Sequence, residues 1–136
     1  MDLERFAPGQ THSADVHVTP QQVRAFADAT GDHNPIHLDE AFAAGTRFKR
    51  TISHGALLLG LISRVLGTEF PGAGTIYVSQ SAHFLKPVFV GSSVRIVLTV
   101  KGVDSQRRRL TLDTRVKDSA GEDCVTGEAE VYLPKG

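Results

Sequence analysis

Apolar and polar side chains alternate near the start of the chain, where Ala14, Val16 and Val18 are interleaved with Ser13, Asp15 and His17. That period of two predicts a strand over about His12 to Val18. A helix is predicted immediately after it. Thr19 is a good N-cap, Pro20 suits the first helical position, and Gln22 stands where a capping box places Glu or Gln. Val23, Phe26 and Ala27 then fall on one face, and Gly31 is a C-terminal stop. Asp39 is placed to cap a second short turn that carries Phe42 and ends at Gly45.

The pattern changes from His54 to Phe70, where Ala56, Leu57, Leu58, Leu59, Leu61, Ile62, Val65 and Leu66 cover nearly every direction around a helix. Such a helix is expected to be buried. Four segments with strand character follow Pro71-Gly72: about Thr75 to Leu85, Ser93 to Val103, Arg108 to Lys117, and Glu122 to Leu133. In the third, Leu110, Leu112, Thr114 and Val116 face one way, while Thr111, Asp113, Arg115 and Lys117 face the other. Short Gly, Asp and Ser turns between the segments favour an antiparallel meander. An α+β arrangement follows, with a curved sheet whose apolar face is covered by the greasy helix. The strand pattern alone leaves the topology open.

Composition narrows the picture. A chain of 136 residues fits one domain, 1–136, able to bury its core without disulfides or metal. Fifteen basic and fifteen acidic side chains give no electrostatic footprint for nucleic acid or a membrane surface. The N-terminus lacks the basic start and apolar core of a signal peptide, and no apolar run reaches membrane-spanning length, so a soluble cytoplasmic protein is expected. Cys124 is the only cysteine and reads as an inert strand residue.

Candidate chemistry is concentrated in Asp32-His33-Asn34-Pro35-Ile36-His37, which sets a carboxylate and an imidazole on either side of an Asn-Pro turn. Those two groups can handle a water molecule and its protons near neutral pH. Pro35 disfavours a helical Asn34, so the segment is expected to be a rigid loop. From spacing alone, Asp32 and His37 could equally be a cap and a solvated side chain. His33 and His37 have the i, i+4 spacing of helical zinc ligands, with Asp32 and Asp39 nearby, but Pro35 between them spoils a shared helical face, and no metal is expected. Gly72-Ala73-Gly74 is too short for a phosphate loop and lacks its Lys-Ser/Thr ending.

Three blocks in order widen the context: Gly31-Asp32-x-Asn34-Pro35-x-His37, the His54-Gly55 that opens the apolar helix, and Phe84-x-x-Pro87-Val88-x-x-Gly91. Together they make the chain resemble the (R)-specific enoyl-CoA hydratases of the MaoC-like hot-dog family. The resemblance implies a hot-dog fold, a curved antiparallel sheet wrapped around a long buried helix, and a homodimer formed by extending sheets. It also implies that Asp32 and His37 hold a water against the double bond of a trans-2-enoyl-CoA, that the Gly55 N–H polarises the thioester carbonyl, and that Ser63 supports the site. The product would be (R)-3-hydroxyacyl-CoA, in fatty-acid metabolism or polyhydroxyalkanoate precursor supply, with acyl-CoA as substrate and no separate cofactor.

The residues are compatible with these roles. Hydration needs hydroxide character at the β-carbon and a proton at the α-carbon, so a base and an acid must meet around one water. Asn34 and Pro35 serve geometry, the amide holding backbone and the ring fixing one torsion. Gly55 starts a helix, where unpaired N–H groups and the dipole favour developing negative charge. Ser63 could instead bond a carbonyl one turn back. His54 is placed to orient the loop or cap the helix, while His12, His17 and His83 read as structural or surface residues; the reaction needs none of them. Lys86 and Arg107-Arg108-Arg109 could meet coenzyme A phosphates, the arginine run reading rather as a solvated face. Thr51 stands where many such hydratases have a proline before the His-Gly pair. Two other functions share the fold: thioester hydrolysis, with Asp32 activating water toward the carbonyl, and non-catalytic acyl-CoA binding. The Asn-Pro-x-His block favours the hydratase over the first, and an intact Asp32 and His37 favour it over the second.

Overall fold

The computed structural model describes residues 1–136. After a 3₁₀ turn at Leu3–Arg5, β1 (Thr11–His17) leads into α1 (Pro20–Thr30). Thr19 and Gln22 form the reciprocal capping box expected of them, and Gly31 ends α1 with a left-handed φ of 82°. A side-chain cap of this kind contributes about 1 kcal/mol. Two short helical turns follow, α2 (Pro35–Leu38) and α3 (Glu40–Ala44), then the long α4 (Gly55–Thr68). Asp39 caps α3 through Phe42 N–H, and Gly45 follows as the C-cap.

The chain then enters β2 (Ile76–Gln80), β3 (His83–Phe84), β4 (Ser93–Asp104), β5 (Arg109–Lys117) and β6 (Asp123–Tyr132). One antiparallel sheet runs β1-β4-β5-β6-β2, with β3 also paired to β6. Only β4, β5 and β6 are a plain meander. The first strand lies beyond β4 and the second beyond β6, because the helical segment between them carries the chain across the sheet. The α+β hot-dog arrangement expected from the sequence is the one found.

A core cluster of 24 buried residues unites the inner faces of the sheet with α4. Leu98, Leu110, Leu112, Val116 and Val131 are fully covered, together with Ile62 and Val65 from the helix. The alternation along β5 is followed by burial at every position, including Thr114, whose hydroxyl is covered but accepts a hydrogen bond from Gln80 Nε2 at 2.9 Å. A covered hydroxyl without such a donor would destabilise the sheet.

Four sequence expectations change. The segment from Asp32 to His37 is not all loop: Pro35 occupies the first position of α2, where its missing N–H costs nothing, so His37 sits on one helical turn. The long helix is not apolar all round, since Ala56, Gly60, Arg64 and Thr68 are exposed along one side. The strand expected over Thr75 to Leu85 is broken in two at Ser81-Ala82, where the Ser81 carbonyl presses so close on Gly127 of β6 that any side chain there would collide with it. The arginine run is a solvated face only at Arg107. Arg108 donates to the carbonyls of Leu133 and Met1, joining the β4–β5 turn to both ends of the chain, and Arg109 pairs with Glu130.

Candidate active site

The left-handed Gly31 turns the chain out of α1, and a chain of short-range bonds then fixes it. Thr30 Oγ1 donates to Phe26 O at 2.7 Å and accepts from Asp32 N–H at 3.2 Å. The Asp32 carboxylate accepts from Asn34 N–H, and the Asn34 amide oxygen accepts from Ile36 N–H at 3.2 Å, capping α2. These are Asx-type contacts, the role expected of Asn34. His33 bonds Asp28 instead, away from His37, so the i, i+4 histidine pair is never assembled.

His37 is anchored from the other side by the stretch that precedes α4. Ile52 N–H donates to Ile36 O at 3.2 Å, and His37 Nδ1 lies 2.7 Å from Ile52 O. The carbonyl can only accept, so the proton is on Nδ1 and Nε2 keeps a lone pair. The same stretch is tied to the segment before β4 by Ser53 N–H to Val88 O at 2.7 Å and Val90 N–H to Thr51 O at 3.1 Å. Thr51 is buried and donates its hydroxyl to Glu40, so a hydrogen bond holds this place in the loop. Burial pushes the His37 imidazole below its usual range and neighbouring His54 adds to this, while the Ile52 carbonyl and Asp32 act the other way.

The Asp32 carboxylate and ring nitrogens of His37 and His54 lie within 4.8 Å of one another. One water making two hydrogen bonds of about 2.8 Å spans such a gap. The same three side chains are of metal-ligand type, with His37 Nε2, His54 Nδ1 and the carboxylate free of strong protein bonds. His54 is buried, its Nε2–H donating to the main-chain oxygen of Asp32 at 3.0 Å and its ring centroid 3.8 Å from that of His37.

A cleft of about 580 Å³ opens beside His37, lined by Ile52, Gly55, Leu58, Leu59, Phe84 and Leu85 among others. Its wall is mostly apolar, with the first turn of α4 exposed to it through Gly55 and Ala56. His54 makes no side-chain cap bond there, so the first N–H groups of α4 have no partner within the helix or from the cap. The Phe84 ring sits so close to Gly55 that an added Cβ would come within 2.7 Å of it. Asp32 is exposed at the rim rather than in the wall. Lys86 lines the cleft but is held by Asp118 and Glu122, whose carboxylates raise its pKa, and is less free to meet a phosphate.

Asp32, Asn34, His37 and Gly55 are therefore gathered in one region, as the sequence led us to expect. Ser63 is not: it lies eight residues beyond Gly55, about 12 Å along the helix axis, half-buried and outside the cleft wall. His54, which the sequence offered as a residue to orient the loop or cap the helix, makes no cap bond and reaches the Asp32 loop. Phe84, read from sequence only as part of a strand-end block, and Leu85, which no motif marks, are exposed large apolar residues at the cleft.

One antiparallel sheet packed on a long helix, with a carboxylate and two imidazoles gathered beside an apolar cleft, defines a hot-dog domain. Residues 5–121 match the MaoC like domain model, and the chain belongs to that family. It is 48% identical to an (R)-specific enoyl-CoA hydratase of Aeromonas caviae over 83% of this chain and 84% of that one. It is 43% identical to a 3-hydroxybutyryl-CoA dehydratase of Methylorubrum extorquens over 98% of this chain and 84% of the relative. Among solved structures, an R-hydratase from Pseudomonas aeruginosa in the unliganded form superposes with a TM-score of 0.93 at 37% identity, covering 98% of this chain and 86% of that one.

Proposed function

We infer that the protein is an (R)-specific enoyl-CoA hydratase, adding water reversibly to trans-2-enoyl-CoA to give (R)-3-hydroxyacyl-CoA. The observation that carries this reading is the Asp32 carboxylate and the His37 imidazole facing one another across a gap sized for one water, beside an apolar cleft. The hydratase relatives support it.

In this mechanism Asp32 and His37 hold the water between them. Asp32 draws a proton from it as the oxygen bonds to the β-carbon, and the α-carbon receives a proton from the same pair, so one O–H bond of water and the C=C π bond are exchanged for one C–H and one C–O bond. Asp32 and His37 work on the same water, and the pair rather than either residue is the acid–base unit. Negative charge that develops on the thioester oxygen meets the Gly55 N–H at the start of α4, where the helix dipole favours it. Asn34 preorganises Asp32 and α2. Coenzyme A enters as part of the substrate, and no separate cofactor takes part.

The reading includes a homodimer. The edge strand β2 exposes Ile76, Tyr77 and Val78, and Phe84 and Leu85 continue the apolar surface toward the cleft. Pairing of this edge with a second copy would cover both and complete the acyl tunnel. No helix is long and apolar enough to cross a membrane. A soluble cytoplasmic enzyme is the setting we propose, its (R)-3-hydroxyacyl product suited to polyester formation.

Incubation with crotonyl-CoA tests the activity, following loss of enoyl absorbance and the configuration of the product. Formation of (R)-3-hydroxybutyryl-CoA is expected. Release of free thiol without hydrated thioester would mean a thioesterase, and binding without turnover a carrier module. Light scattering at dilute protein tests the dimer; a fully active monomer would contradict the shared tunnel.

A further inference from the structure

His54 has no step in the hydration just described, yet it touches both residues that carry it. Its Nε2–H holds the main-chain oxygen of Asp32 at 3.0 Å. One face of its ring lies against Phe26, centroids 4.7 Å apart, and the ring is 3.8 Å from that of His37, tilted by 32°. The side chain is 1% exposed, and its Nδ1 meets no donor in the chain.

A residue needed only to fill this space would not be an imidazole. Burying a polar nitrogen without a partner destabilises the fold, whereas Phe or Leu would fill the volume without that penalty. What the imidazole adds is a donor reaching across 22 residues of sequence to the Asp32 carbonyl, joined to a flat face that backs the His37 ring. Asp32 is otherwise fixed only by contacts within two residues of itself, from Thr30 and Asn34. His37 is held at Nδ1 by Ile52, a bond that sets its tautomer but leaves the ring free to tilt about it.

We propose that His54 is the positioning residue of the Asp32–His37 pair. Its Nε2–H sets the place of the Asp32 main chain, and its ring keeps the His37 imidazole at the angle that leaves Nε2 facing the water. This role rests on the hydratase reading, so its test has a part that does not depend on turnover.

Two variants separate the donor from the ring. His54→Phe keeps the aromatic face and loses the donor; His54→Gln keeps an N–H donor of similar reach and loses the ring. Because a misplacement of about 1 Å can cost on the order of 10²-fold, His54→Phe is expected to lower kcat by about 10- to 100-fold with KM within about twofold of wild type. His54→Gln, which keeps a donor but frees the His37 ring, is also expected to lower kcat. A wild-type kcat in either variant would overturn the proposal. Should His54→Phe fail to fold by circular dichroism, His54→Leu, which lacks both donor and ring, is expected to lose at least as much as His54→Gln. Nitrogen-15 NMR of labelled histidines supplies the independent readout. It should find the proton on Nε2 of His54 and on Nδ1 of His37 in the wild-type protein, and a displaced His37 signal in His54→Gln, which lacks the ring. The opposite tautomer at His54, or an unmoved His37 signal, would overturn the proposal even in a protein that proved not to hydrate crotonyl-CoA.

Discussion

His37 donates its Nδ1–H to the carbonyl of Ile52 at 2.7 Å, and this single bond leaves Nε2 as the ring nitrogen with a free lone pair. Burial holds the imidazole below its ordinary value of 6.5, so the ring is neutral, with Nε2 unprotonated, throughout the neutral range. The acid limb of kcat/KM for crotonyl-CoA should therefore lie below pH 6.5, measured in buffers of constant ionic strength. The same shift acts on stability. An unfolded chain takes up the proton first, so urea melts should show His37 costing the fold stability as pH falls from 6.5 toward its folded value, with no such loss above 6.5.

Asp32→Asn keeps the side-chain volume and removes the base. Turnover should drop by about 10²- to 10⁴-fold, and His37→Ala should cost a similar factor. If both groups act on one water, the double variant loses less than the product of the two single losses. Steady-state kinetics, with circular dichroism and substrate binding on the same preparations, checks this. An Asp32→Asn enzyme that hydrates at the wild-type rate would remove the carboxylate from the mechanism.

Gly127→Ala should destabilise the sheet by about 1–3 kcal/mol, because the new methyl meets the Ser81 main chain rather than a side chain able to swing aside. Urea unfolding reads the loss as a lower midpoint with an unchanged slope.

Arg108→Ala removes a charged donor from two carbonyls, Leu133 O and Met1 O. A loss of about 1.5–3 kcal/mol is expected by urea unfolding, while its exposed neighbour in Arg107→Ala should stay within about 0.5 kcal/mol of wild type. Neither residue lines the cleft, and the folded variants should hydrate crotonyl-CoA normally.

Dialysis against a chelator should leave hydration unchanged, since the proposed chemistry uses only the carboxylate, the imidazole and a main-chain N–H. Loss of activity restored by zinc would instead make Asp32, His37 and His54 a metal site.

The sequence was most legible where the determinants are local. Thr19 and Gln22 sit three residues apart and cap one helix, and the alternation of β5 follows from which face of a sheet is wet. The Asp32–His37 block was found through local chemistry and the resemblance it carries. What escaped depends on partners distant in the chain. The break between β2 and β3 lies against Gly127, more than forty residues downstream, and the value of His54 lies in a carbonyl at Asp32 that no spacing rule connects to it. The helical turn at Pro35 was missed for another reason. The restriction that proline places on its predecessor was extended to the residues after it, which it in fact favours as a helix start.

The bare edge at β2 also bears on how the protein is made. If two copies pair at this edge as proposed, a newly folded chain that has not yet met its partner would present Ile76, Tyr77 and Val78 on a strand whose outer N–H and C=O groups are open to any extended peptide. Its most vulnerable period would then come after folding and before pairing. Yield during production would depend on how quickly two finished copies meet, so slow synthesis in a crowded cell and rapid dilution in the test tube would fail for different reasons.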